Sequence, residues 1–390
     1  MADASSASGV PEVQDIERQP PNADEKGGKD FNTFKDEWDS TRYSMPGITT
    51  WQAFTMVKGC AWDNAALWRC MALNTLVSVS VGLVTNFLPS AWLVSADKFE
   101  KLGTFLNVFV GLLLGFFLSS SMTRWYACVN AFLTLLDAVR SMQMQMVALG
   151  VSEEQTETLS RFGILSAWLL HFSLDVKDPN DPDVTQHMIE KVESVRPWLI
   201  EAHEKPMLLR QKESYSMLWS WVASLVGRMS QDGEIPAMPT PTYGRIQMIV
   251  QQAFGSIRDV RALHLIKEPY IYVHTLATLV HVNNILNAIA FGLVGGIMVQ
   301  AMLGRGDQSE AGLVNLCTSL LMQFCFSMLG PVLYLALLDV SVCVAQPFIY
   351  EDAKIPAARF IEGVEKDLKS AKHIGDNPPH WEKPCFKKKE

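Results

Sequence analysis

Fixed charge is missing from four long stretches of this 390-residue sequence. Cys70–Ala96, Leu102–Thr123, Pro269–Gly304 and Ala311–Leu338 contain no Asp, Glu, Lys or Arg. Each reaches the roughly 20 residues that an α-helix needs to cross a bilayer. A soluble protein can bury one such run as a core helix, but a chain with 19% charged residues has too little polar surface to cover four. Catalytic signatures are missing too. There is no P-loop, no His-Glu-x-x-His pair and no Gly-x-Ser-x-Gly turn, so no enzyme is expected. The seven cysteines lack metal-ligand spacing and lie mostly in or beside the apolar runs, as apolar filler would. A net charge of −8 speaks against nucleic acid as a partner.

What is present reads as an all-α membrane protein with spans at about 66–96, 102–124, 269–304 and 311–338. Residues 1–45, rich in Pro, Ser, Gly and charge, predict a disordered tail. Met1 to Lys29 carries acids and no apolar stretch, so no cleavable targeting segment is expected. The region from about 125 to 268 is too long for a loop and must fold as helices. Asp181-Pro182-Asp183 and Pro206 mark helix starts, and Pro239-Thr240-Pro241 breaks the chain before a helix over Tyr243 to Leu265. Residues 361–390 are expected to form a C-terminal tail. Lys58, Arg69, Arg124, Arg140, Arg258, Arg261, Lys267, Lys354 and Arg359 gather on one side of the spans, against Lys98, Lys101 and Arg305 on the other. The excess of Lys and Arg on the inner side then puts both termini and the middle region in the cytosol or its equivalent.

The second span carries a pattern. Val108, Leu112 and Phe116 are four apart and stack on one helix face. Around a symmetry axis that face makes three apolar rings, with Gly111 and Gly115 allowing close approach of neighbouring helices. An ordinary lipid-facing or packing stripe has the same spacing, and both readings stay open. The following Ser119, Ser120 and Ser121 suit a wetted vestibule. In the third span His274, His281, Asn283, Asn284 and Asn287 suit either an ion relay or interhelical hydrogen bonding, and the second is preferred.

Four motifs bring a resemblance. Gly115-Phe116-Phe117 running into Thr123-Arg124-Trp125-Tyr126 resembles the second helix of bestrophins. Val57-Lys58-Gly59-Cys60 before the first span, Pro269-Tyr270-Ile271-Tyr272 opening the third, and Gln346-Pro347-Phe348 followed by Glu351-Asp352 after the fourth are similar to the family's motifs at the same boundaries. They cover about residues 51–360, so a bestrophin-like channel domain is expected over 46–360. The resemblance implies a homopentamer with a central pore, whose apolar neck falls on Val108, Leu112 and Phe116. Thr242, after Pro241, falls at the family's cytosolic aperture.

The resemblance further implies an anion channel for chloride, bicarbonate and other monovalent anions, embedded in membrane lipid. Calcium is a doubtful cofactor. Calcium takes several oxygen ligands, and the segment after Pro347-Phe348 offers only Glu351 and Asp352, with Lys354 beside them, a degenerate site at most. The aspartates at 175, 178, 181 and 183 lack the Gly and terminal Glu of an EF-hand loop and read as a solvated turn. Two other functions stay open: a non-conducting bestrophin-like regulatory subunit and a secondary anion transporter. The plasma membrane is the default location, with a thylakoid or other chloroplast membrane as the alternative.

Overall fold

The computed structural model describes residues 64–87, 96–176, 183–235, 240–304, 310–350 and 353–376. The N-terminal segment expected to be disordered lies outside them. Among the described residues there is no strand, and four helices are long and apolar enough to cross a membrane. These are α1 (Ala65–Phe87), α2 (Ala96–Ala148), α8 (Tyr270–Gly304) and α9 (Glu310–Val344). The chain is a multi-pass membrane protein.

Between α2 and α8 run α3 (Glu153–Leu174), α4 (Val184–Val195), a 3₁₀ turn (Pro197–Leu199), α5 (Lys205–Leu209), α6 (Ser214–Gln231) and α7 (Thr240–Leu265). A final helix, α10 (Ala357–Asp376), follows α9. The N-terminus of α3 is set by Ser152, whose hydroxyl accepts from the Gln155 amide, with Glu153 and Glu154 in the first turn favouring the positive helix end.

Two expected boundaries need correction. The helix that carries the second span does not stop near residue 124. No Gly or Pro interrupts the sequence from Phe116 to Leu149, and α2 spans 53 residues in all. At 1.5 Å per residue that is about 80 Å, far more than the roughly 30 Å of a hydrocarbon core. The boundary at 360 falls inside α10, and the expected C-terminal tail begins with ordered helix. Ile361, Val364 and Leu368 recur at helical spacing and are buried in the same core as α2 and α3.

The spans pack around a small apolar core of Leu67, Val110, Leu114, Phe117, Leu276, Val280 and Leu335. α1 and α8 run parallel and close together. A Cβ added at Gly296 would lie 2.6 Å from the Gly82 carbonyl, and one added at Gly82 would lie 3.2 Å from the Gly292 carbonyl, so small residues set the helix separation. A second, larger core joins the lower half of α2 to α3, α4, α6, α7 and α10, with Trp168 and Trp219 fully buried at its centre. The Ser166 hydroxyl accepts from Trp219 Nε1 at 3.0 Å and donates to the Tyr215 carbonyl, so the polar atoms of this packing are met. α2 therefore belongs to both cores and connects them as one rod.

Candidate functional site: the two faces of α2

The upper half of α2 divides into two stripes. Gly103, Asn107, Val110, Leu114, Phe117 and Ser121 are packed against α8 and α9 or partly buried. Their spacing of four, three, four, three and four keeps them on one face. Val108, Leu112 and Phe116 lie about half a turn away at ~100° per residue. They are 72%, 57% and 60% exposed, unused by the chain's own core. Phe105 above them, and Ser119 and Thr123 below, are exposed along the same face. The stripe passes from apolar to hydroxyl-bearing as it descends.

A polar clamp fixes this rotation. Asn283 and Asn287, four apart on α8, each donate from Nδ2 to Asn107 Oδ1 at 2.8 Å, and the Tyr334 hydroxyl of α9 donates to the Asn107 carbonyl at 3.2 Å. The buried Asn283 and Asn287 thus make the interhelical bonds preferred for them, while His274 and His281 face outward. Sequence reasoning passed over Asn107. Its signal was a lone amide on the packed stripe opposite two asparagines one helical turn apart.

Beneath the stripe, the Ser120 hydroxyl donates to Glu268 Oε1 at 3.0 Å. Arg124 donates from Nη2 to the Leu263 and Ile266 carbonyls at the end of α7, holding the second bundle against the spans. Trp125 Nε1 donates to the Ala353 carbonyl at 2.9 Å, which ties α2 to the segment after α9. Glu268 was also missed, because it belongs to no motif; its partner Ser120 was noted only as part of the hydroxyl run that follows the stripe.

Thr242 is half-buried in the first turn of α7. Because Leu263 meets Arg124, Thr242 lies some 21 residues farther along α7, about 31 Å from the spans. Glu351 and Asp352 lie outside the described residues. Two residues further along the chain, Lys354 pairs with Asp175 at 3.1 Å. Elsewhere Glu201, His203 and Glu204 lie close enough to share an ion, but the Glu204 carboxylate already accepts both Arg161 terminal nitrogens at 2.6 and 2.7 Å.

No protein-family model and no curated protein matches the chain. Solved structures do. A point variant of a bacterial bestrophin homologue from Klebsiella pneumoniae superposes with a TM-score of 0.62 at 16% identity, over 79% of this chain and 99% of that one. A second variant gives 0.61 at 16% identity, over 78% and 98%. The homologue phased from zinc gives 0.58 at 16%, over 77% and 96%. The chain has the bestrophin fold.

Proposed function

We propose that the protein is one subunit of a homopentameric anion channel that conducts chloride and bicarbonate, with Val108, Leu112 and Phe116 as its neck. The observation that carries this reading is the division of α2 into a packed face and an exposed apolar face half a turn apart, on a bestrophin fold. An apolar ring gates by dewetting, and an ion enters it only when something replaces its water. The edge of an aromatic ring is electropositive, so Phe116 edges favour an anion over a cation. Below the neck, Ser119 offers a hydroxyl to an ion regaining its hydration shell, while the Thr123 hydroxyl donates to the Ser119 carbonyl at 2.9 Å. Thr242, far along α7, forms a second, polar constriction. The spans carry almost no fixed Lys or Arg, so anions pass without strong binding or slow release.

Purified full-length protein reconstituted in liposomes tests this directly. Chloride efflux with a particle mass of five chains is the expected result. A stable monomer, or proton-coupled flux, would contradict it, the latter pointing to a transporter.

A further inference from the structure

The end of α2, the first half of α3 and the later turns of α10 form the walls of a groove of about 630 Å³. Ligand pockets run from roughly 300 to 1,000 Å³, so it has room for a large aromatic side chain. Val151, Ile164 and Leu368 give it an apolar floor, and the half-exposed Val147 and Trp198 carry that surface out to the mouth. Exposed apolar surface around a concave site favours an occupant. The mouth is also charged, and its two sides differ in sign. Glu153 and Glu157 are exposed in the first turns of α3, while α10 supplies Lys369 and Lys372. Lys372 pairs with Glu153 and lies 3.9 Å from Glu157, and Lys369 makes no ion pair among the described residues. Deeper in, Arg161 is bound by Glu204 and Glu365 by Arg196, so neither calls for a counter-charge. One acid and one base, Glu157 and Lys369, therefore stand open on opposite sides of an apolar groove.

Membrane lipid does not reach this groove. Gln143 in its wall lies about 29 Å along α2 from Arg124, where the helix leaves the spans. The chain itself does reach it. Residues 377–390 follow α10, and Trp381 among them is succeeded at once by Glu382 and Lys383. Asn377-Pro378-Pro379 is a sequence that does not continue a helix, which favours a turn off the α10 axis just after Asp376. The five residues from Asp376 to Trp381 extend up to ~17 Å, whereas Lys372 at the mouth is only ~6 Å back along the helix. We infer that the groove is the docking site of the chain's own C-terminal segment, with the Trp381 indole packed on Ile164, Leu368 and Trp198. Glu382 meets Lys369 and Lys383 meets Glu157, one charge for each side of the mouth. Docked in this way, the segment straps the end of α10 to α2 and α3. The groove lies in the second bundle and does not depend on whether the α2 stripe lines a pore.

The experiment is equilibrium binding of a fluorescein-labelled peptide with the sequence of residues 377–390 to full-length protein in lipid nanodiscs, read by anisotropy. Full-length Trp381→Ala, whose groove is vacated, should bind one peptide per chain saturably. The wild type should bind it at least tenfold more weakly, because its own tethered segment competes at a high effective concentration. A peptide carrying the same Trp→Ala change should lose at least tenfold. In the Trp381→Ala background, Val147→Trp, at a half-exposed lining position, should block the groove, and Glu157→Lys, at a side chain 71% exposed, should weaken the peptide without touching the core. A peptide with Lys383→Glu should recover affinity for the Glu157→Lys protein. Absence of saturable binding to Trp381→Ala, or equal binding of the Trp-free peptide, would overturn the inference. Equal binding to wild type and Trp381→Ala would overturn it too, since the groove would then stand open in the full chain and await a different partner.

Discussion

Asn287 Nδ2 donates to Asn107 Oδ1 at 2.8 Å, one position before Val108 on α2. With Asn283 on the same acceptor, this bond fixes how α2 is rotated against α8 and so which residues are turned away from the packed face. Replacing Asn107 by Leu leaves both α8 amides without their acceptor. Intramembrane hydrogen bonds are worth ~0.6–2 kcal/mol each. Asn107→Leu should therefore lower the unfolding midpoint in detergent, and an unchanged midpoint would show that packing alone sets the rotation.

The Arg161–Glu204 pair anchors the 3₁₀ turn and α5 to α3. Burial opposes ionisation of Glu204, but its hydrogen bonds and charge contact with Arg161 outweigh that and hold its carboxyl below the usual carboxylate range. Arg161→Met strands the buried carboxylate, which costs about 3–5 kcal/mol. Chemical denaturation should show this loss, and the double variant Arg161→Met/Glu204→Leu should recover most of it. A double variant no better than the single one would mean that the pair itself, and not the stranded charge, carries the stability.

Much of the fold is legible in the sequence. Each span was visible because lipid permits no unpaired charge, so the absence of Asp, Glu, Lys and Arg marks it. The continuity of α2 was not, since charge reappears at Arg124 where the helix leaves the membrane but nothing there stops a helix. The helix α10 was hidden in a segment of mixed charge, where only Ile361, Val364 and Leu368 betray an apolar face. For the site, spacing gave the stripe Val108, Leu112 and Phe116 but not which way it faces. That is decided by long-range partners such as Asn107 with Asn287, which no local pattern announces.

Stability should also respond to pH through His171. Burial pushes its imidazole down from 6.5 to about 4, opposed by Asp175 and aided by Lys354 and Lys191. Between those values the unfolded chain holds the proton and the folded chain does not. Stability is then full above about pH 6.5 and falls as pH drops towards 4, by on the order of a few kcal/mol. In denaturation curves across this window, His171→Gln should flatten the slope. A slope equal to wild type would assign it to other groups.

Glu268 places a carboxylate beside Ser120, just below the apolar stripe. A negative charge there repels an approaching anion, most strongly where salt is dilute and the Debye length long. Glu268→Gln should raise anion conductance a few-fold in ~10 mM salt and much less in ~1 M. Conductance unchanged in dilute salt would place Glu268 away from the ion path.

A pore neck requires Val108, Leu112 and Phe116 to face away from the packed side of α2, and one variant tests that most directly. Truncating all three to Ala removes side chains that no part of the chain's own core uses. Had they been core residues, each change would cost about 2–5 kcal/mol and the triple variant would fold poorly. As a neck, the widened ring keeps its water and the dewetting barrier falls. Assembly and anion current of Val108→Ala/Leu112→Ala/Phe116→Ala are measured together in one preparation. An intact pentamer with raised basal anion current is the predicted result, and an intact pentamer whose current is indistinguishable from wild type would contradict the assignment of the neck.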